Sequence, residues 1–154
     1  MKIIHGSPSE GSPLTKTAVE KFLDIKTNIQ LATIDEDGYP NIQPTWFYYD
    51  KVSKKIYIMT RKDARKVRNI RKKPHIYFSV DEDNYPYRCV KGKATVTIIE
   101  DTANNVPLVE KICIKYLGSL EDPYSKELVG MAKDGESVIL EVIPSFFSTW
   151  DFSN

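Results

Sequence analysis

The 154-residue chain is poor in the residues that build metal and thiol sites, with two histidines and two cysteines. Cys89 and Cys113 form no CxxC pair and read as reduced thiols of a cytoplasmic protein. No Cys/His pair supports a thiol nucleophile. His5 and His75 each lack further ligands at metal spacing, so no metal site is expected. No apolar run approaches the ~20 residues of a membrane span. Residues 1–13, MKIIHGSPSEGSP, contain no signal-peptide apolar core. GxSxG, P-loop and GxGxxG motifs are absent. Paired carboxylates occur only in exposed-looking turns, which gives acid–base hydrolysis no support. A net charge of +1 argues against a polyanion partner, nucleic acid included.

What is present is a globular composition rich in aromatics, with nine Tyr, six Phe and two Trp. The length fits one domain, residues 14–154, behind a loose leader at 1–13. Helical spacing of Leu14, Ala18, Phe22 and Ile25 predicts a helix over 14–26. Strands are predicted at 29–34, 40–49, 56–60, 75–80, 88–99 and 137–150, the last kinked at Pro144. Gly38 suits the first hairpin turn, and Gly92 a bend or bulge. Pro44 implies that its strand is an edge or carries a bulge, with backbone groups free for a ligand. Further helices are predicted at 64–73, stopped by Pro74, at 103–117 and at 123–133. Six strands in hairpin order with short helices predict an antiparallel barrel of mixed α+β class. So many aromatic strands in a small chain favour burial by pairing into a homodimer.

The densest chemistry lies in residues 58–74, IMTRKDARKVRNIRKKP. Thr60 ends a strand, and Arg65-Lys66 open the following helix. A hydroxyl, an Arg–Lys pair and free N–H groups at a helix start suit a phosphate. The bland reading is a solvated basic face, because eight cations stand here against the single acid Asp63. The same charge allows a nucleic-acid surface, which would need aromatic platforms. Gln43-Pro44-Thr45-Trp46 forms an irregular strand able to line a flat heteroaromatic ring. Core packing is the bland alternative for Trp46. Trp150 closes the chain, either over a cofactor or partner or in simple burial.

Taken together, these segments resemble the pyridoxamine 5′-phosphate oxidase-like, FMN-binding split-barrel family. The resemblance rests on Leu31-Ala32-Thr33 with Asp37-Gly38-Tyr39-Pro40, on the 43–46 strand, on the Thr60–Lys66 turn followed by 68–74, and on Val90–Ala94. It implies an antiparallel six-stranded split β-barrel and a flavin oxidoreductase of unknown small-molecule substrate. It also implies a homodimer with the cofactor at the interface. Arg65 and Lys66 would hold the FMN phosphate, with Thr60 adding a hydroxyl and Arg61 assisting. Gln43, Pro44, Thr45 and Trp46 would touch the ring and ribityl chain. Tyr87 and Trp150 would approach from across the dimer. Related members use a deazaflavin coenzyme or bind haem, so a deazaflavin-dependent reductase and a non-catalytic flavin or haem binder are the alternatives. The family's arginine in the ring-lining strand is here Gln43, and residues 144–154 lack the arginines that grip pyridoxamine phosphate. These departures set the chain apart from makers of pyridoxal phosphate.

Overall fold

The structure, a computed structural model, describes residues 1–9 and 11–153. Helix α1 runs Lys16–Leu23, shorter than the spacing predicts. The Thr15 hydroxyl accepts the Ala18 N–H and sets its start. Leu14 stays outside the helix, its N–H donated to Thr149 Oγ1 at 2.9 Å. Strand β2 (Ile29–Ile34) turns into β3 (Pro40–Thr45) through a loop in which Asp35 Oδ1 accepts two backbone N–H groups. Gly38, at φ 85°, supplies the left-handed position of that turn.

The predicted 40–49 strand is broken in two, because β4 begins only at Tyr48 and ends at Asp50. The cause is Tyr116. Its hydroxyl takes the Phe47 N–H at 3.2 Å, and its ring stacks on Trp46 at 4.6 Å, so both residues leave the ladder. The same hydroxyl donates to Thr27 O at 2.6 Å. Tyr116→Phe is therefore expected to lose about 1–2 kcal/mol by orphaning the Phe47 N–H, read as a lower urea midpoint at unchanged slope.

The remaining elements are β5 (Lys55–Arg61), α2 (Arg65–Lys72), β6 (His75–Asp81), β7 (Arg88–Ile99), α3 (Thr102–Leu117), α4 (Pro123–Lys133), β8 (Ser137–Pro144) and β9 (Phe147–Asp151). The predicted 137–150 strand is thus two strands, with Pro144 ending the first. The described residues of 1–13 are not the loose leader expected. Strand β1 (Ile3–His5) lies parallel to β9, and Ser12 and Asp151 exchange backbone hydrogen bonds. This pairing satisfies β9 on the side that β7 leaves open.

One sheet orders the strands β3-β2-β6-β7-β8-β5-β4, with β9 on β7 and β1 on β9. The described residues form nine strands rather than six. The two ends of the path, β3 and β4, are separated in the chain by Trp46 and Phe47 alone. The sheet must therefore curl until its ends meet, which makes a split barrel of α+β class. Alternate residues of β2, β5, β6, β7 and β8 point inward with Phe22, Phe47 and Phe147 to form the core. A second cluster packs α3 and α4 on the outer wall through Tyr57, Ile139, Ile112 and Tyr116.

Lys115 pins α3 to the end of α1. Its Nζ donates to Leu23 O at 3.0 Å and lies 3.5 Å above the Phe47 ring centroid. Burial pushes its pKa down from 10.5 to about 8, with Asp24 pulling weakly the other way. A lysine whose pKa falls on folding costs stability wherever the folded state must hold its charge. That cost is complete below about pH 8 and is relieved as pH rises toward 10.5. The stability of wild type relative to Lys115→Met should thus increase across that window by about 1.5 kcal/mol, after allowance for partial exposure. Parallel urea titrations at pH 7 and pH 10 check it. The difference between the two proteins cancels the opposing titration of the buried thiols.

Candidate functional site

Strand β5 delivers Thr60, buried at the barrel rim, into a turn that opens α2. The N-cap residue of α2 is Ala64, which brings no side-chain acceptor to the first turn. A Ser, Asp or Asn would ordinarily satisfy an N–H group there. The helix start is therefore open to an external anion. Arg65 projects to solvent, and Arg61 is exposed and pairs loosely with Asp63 at 3.5 Å.

Lys66 behaves differently from its basic neighbours. It is 7% exposed, on the buried face that α2 forms with Val67, Asn69 and Ile70. Its Nζ donates to Gln43 Oε1 at 2.9 Å, and among the described residues no ion pair reaches it. Desolvation pushes its pKa down, with no neighbouring carboxylate to offset that. A buried cation without a counter-ion, beside an uncapped helix start, has the electrostatics of an anion site.

The structure thus joins Gln43 of β3 to Lys66 of α2, with Thr60 and Arg65 on the same turn. Gln43 and Pro44 are exposed along the edge strand, and Thr45 is half-buried. The Trp46 side chain is not part of this group. Its indole stacks on Tyr116 with an interplanar angle of 1° and meets Tyr124 edge-on, which is the core-packing alternative. Tyr87 and Trp150 lie elsewhere in the chain. Tyr87 sits just before β7, and Trp150 pairs with Cys89 where β9 joins β7. The path from Gln43 to Trp150 crosses Leu31, Phe78 and β7 before reaching β9.

Sequence reasoning missed Thr33 and Asn69. Asn69 Nδ2 donates to Thr33 Oγ1 at 3.0 Å with both residues buried, which fastens α2 over β2. The available signal was spacing, since 66, 67, 69 and 70 trace one helical face beneath the charge. The opposite face of the sheet carries the row Ile42, Ala32, Tyr77 and Lys93. Ile42 is 64% exposed and Tyr77 48%. A cavity of about 740 Å³ is lined by Ala32, Tyr77 and Lys93 of this row and by Ile34, Pro40 and His75.

Burial pushes the Cys89 thiol up to about 11 and the Cys113 thiol up as well, which leaves both poor nucleophiles. No group of three metal-ligating side chains occurs among the described residues. Among the described residues, no helix is long and apolar enough to cross a membrane.

A split barrel with an uncapped basic helix start against its edge strand defines the class of this protein. The family model for pyridoxamine 5′-phosphate oxidase matches residues 15–150, and the chain belongs to that family. Among solved structures it is similar to the conserved hypothetical protein Rv2991 of Mycobacterium tuberculosis, with a TM-score of 0.80 and 20% identity over 94% of this chain and 89% of that one. An F420 reductase matches at 28% identity and a TM-score of 0.67, over 84% of this chain and 94% of that one. HutZ, a haem storage protein of Vibrio cholerae, matches at 16% identity and a TM-score of 0.64, over 84% and 89%. The first and third likenesses are likenesses of fold. No curated protein matches the chain significantly.

Proposed function

We propose that this protein binds FMN and acts as a cytoplasmic oxidoreductase on a small molecule. The observation that carries the reading is Lys66, a buried ammonium without a carboxylate, at an uncapped helix start. Lys66, Arg65 and the first-turn N–H groups of α2 hold the phosphate, with the Thr60 hydroxyl beside them and Arg61 at the rim. Gln43, Pro44 and Thr45 offer edge-strand backbone groups to the ring. Trp46, stacked on Tyr116, contributes through its backbone. When bound, the flavin supplies the hydride or electron transfer, so no side-chain nucleophile is required.

The ring side of the site is incomplete in one chain. Pairing of two copies through the Ile42–Tyr77 face would cover the exposed apolar row and bring Tyr87 and Trp150 of the second copy toward the flavin. A second reading, a deazaflavin-dependent reductase, is favoured by the likeness to the F420 reductase. The deciding experiment is an absorbance spectrum of the purified protein, repeated after FMN addition and dialysis. Retained flavin bands support the reading. A flat spectrum overturns it and transfers the same Lys66 site to the deazaflavin coenzyme. Retained flavin with no turnover on any electron donor would make the protein a carrier rather than an enzyme.

A further inference from the structure

The contact between Lys66 and Gln43 has the form of an orienting device rather than a neutralising one. An ammonium has three N–H donors, and Gln43 Oε1 takes one of them at 2.9 Å. An amide oxygen fixes the direction of the group without cancelling its charge. A carboxylate in that place would cancel it, and an arginine would repel it. Gln43 suits the task by its position. In the β2–β3 register it stands opposite Leu31, whose side chain enters the core, so it shares the face over which α2 lies. It is itself exposed, at the mouth of the site, where holding an amide costs little desolvation. Asn69, bonded to Thr33 one turn along, locks the helix that carries Lys66. The charged groups nearest in the chain are the cations Arg61, Lys62, Arg65 and Arg68, and the single acid Asp63 already faces Arg61.

We propose that Gln43 is a positioning residue for anion capture, holding the Lys66 ammonium uncancelled and aimed so that its two remaining hydrogens meet a phosphate group at the start of α2. This inference rests on the phosphate-site reading above but gives the Gln43 side chain a partner of its own, Lys66, and leaves to the flavin ring only the backbone of that residue. It makes the amide at position 43 the element that sets the site's affinity for the phosphate half of a ligand and leaves the ring half untouched.

The test compares wild type with Gln43→Glu and Gln43→Leu, using FMN, riboflavin and inorganic phosphate as probes. Both substitutions are at an exposed position, and circular dichroism confirms folding. FMN affinity at pH 8 is expected to fall about tenfold or more in Gln43→Glu and severalfold in Gln43→Leu, while riboflavin binding stays unchanged. Equal losses for FMN and riboflavin would overturn the proposal, because the Gln43 side chain would then act on the ring. An NMR titration of the Lys66 side chain supplies a readout that needs no flavin. Its midpoint should rise in Gln43→Glu and fall in Gln43→Leu. Inorganic phosphate should raise it in wild type but not in Gln43→Glu. If wild type binds neither flavin, the flavin reading fails, and these titrations alone decide the role of Gln43. Identical Lys66 titrations in all three proteins would overturn it.

Discussion

Gly92→Val is expected to destabilise the protein by at least ~3 kcal/mol, enough to leave much of it unfolded near body temperature. A Cβ at position 92 would stand 2.3 Å from the Phe146 carbonyl oxygen and 2.9 Å from Phe78 Cζ. The carbonyl belongs to backbone and cannot rotate away. Gly92 is also the residue at which β7 changes partners. Arg88–Lys91 pair with β9 and Ala94–Ile99 pair with β8. Phe146 lies in the link between β8 and β9, held by the Ser145 N–H to Lys93 O at 2.8 Å. Any side chain at 92 therefore pushes apart the junction that lets one long strand serve two neighbours. Gly130→Ala is the matched control. It lies inside α4 with open space around it, so alanine there should stabilise by about 0.5–1 kcal/mol. Thermal and urea unfolding of the two variants should move in opposite directions. A Gly92→Val protein with an unchanged midpoint would mean that the β8–β9 link is free to shift.

Gly92 also shows where sequence reasoning stops. Its alternating strand is legible, and the Arg88–Ile99 limits agree with the expected strand, as Pro123–Lys133 agree with the expected helix. Those elements are bounded by local signals, among them Asp122 with Pro123. The carbonyl that forbids a side chain at 92 comes from residue 146, and nothing local announces it. The same holds for the break at Trp46 and Phe47, imposed by Tyr116 from another helix, and for the leader that becomes β1 by pairing with the last strand. Each departure is a long-range contact overriding a local preference.

The site divides in the same way. The proposed phosphate half is legible because strand end, turn and helix start are contiguous in residues 60–66. The charge density of that segment nevertheless reads as a solvated face and hides the buried stripe of Lys66, Asn69 and Ile70. The proposed ring half would be drawn from β3, from the rim near Tyr87 and from β9, elements that only sheet curvature and the proposed pairing of two copies would bring together.

Lys66→Met is expected to weaken FMN binding ten- to a hundredfold while making the free protein more stable by about 1 kcal/mol. The two halves of this prediction have one cause. Lys66 is 7% exposed, so its stem lies on the buried face of α2, and methionine retains most of that burial. What methionine removes is a desolvated charge with an amide oxygen as its sole polar partner among the described residues. A buried charge of this kind is held at a cost, and an apolar residue of similar volume relieves it. The partner left behind, Gln43, is exposed and returns to water, so no orphaned polar group offsets the gain. In the complex the balance reverses, because a charge-assisted contact to phosphate contributes ~1.5–3 kcal/mol. Melting curves of both proteins with and without FMN read both effects at once: the variant should melt higher alone and gain less on adding flavin. Riboflavin should bind the two alike. A variant that melts lower alone and binds FMN as wild type does would show that Lys66 serves the fold and that the phosphate lies elsewhere.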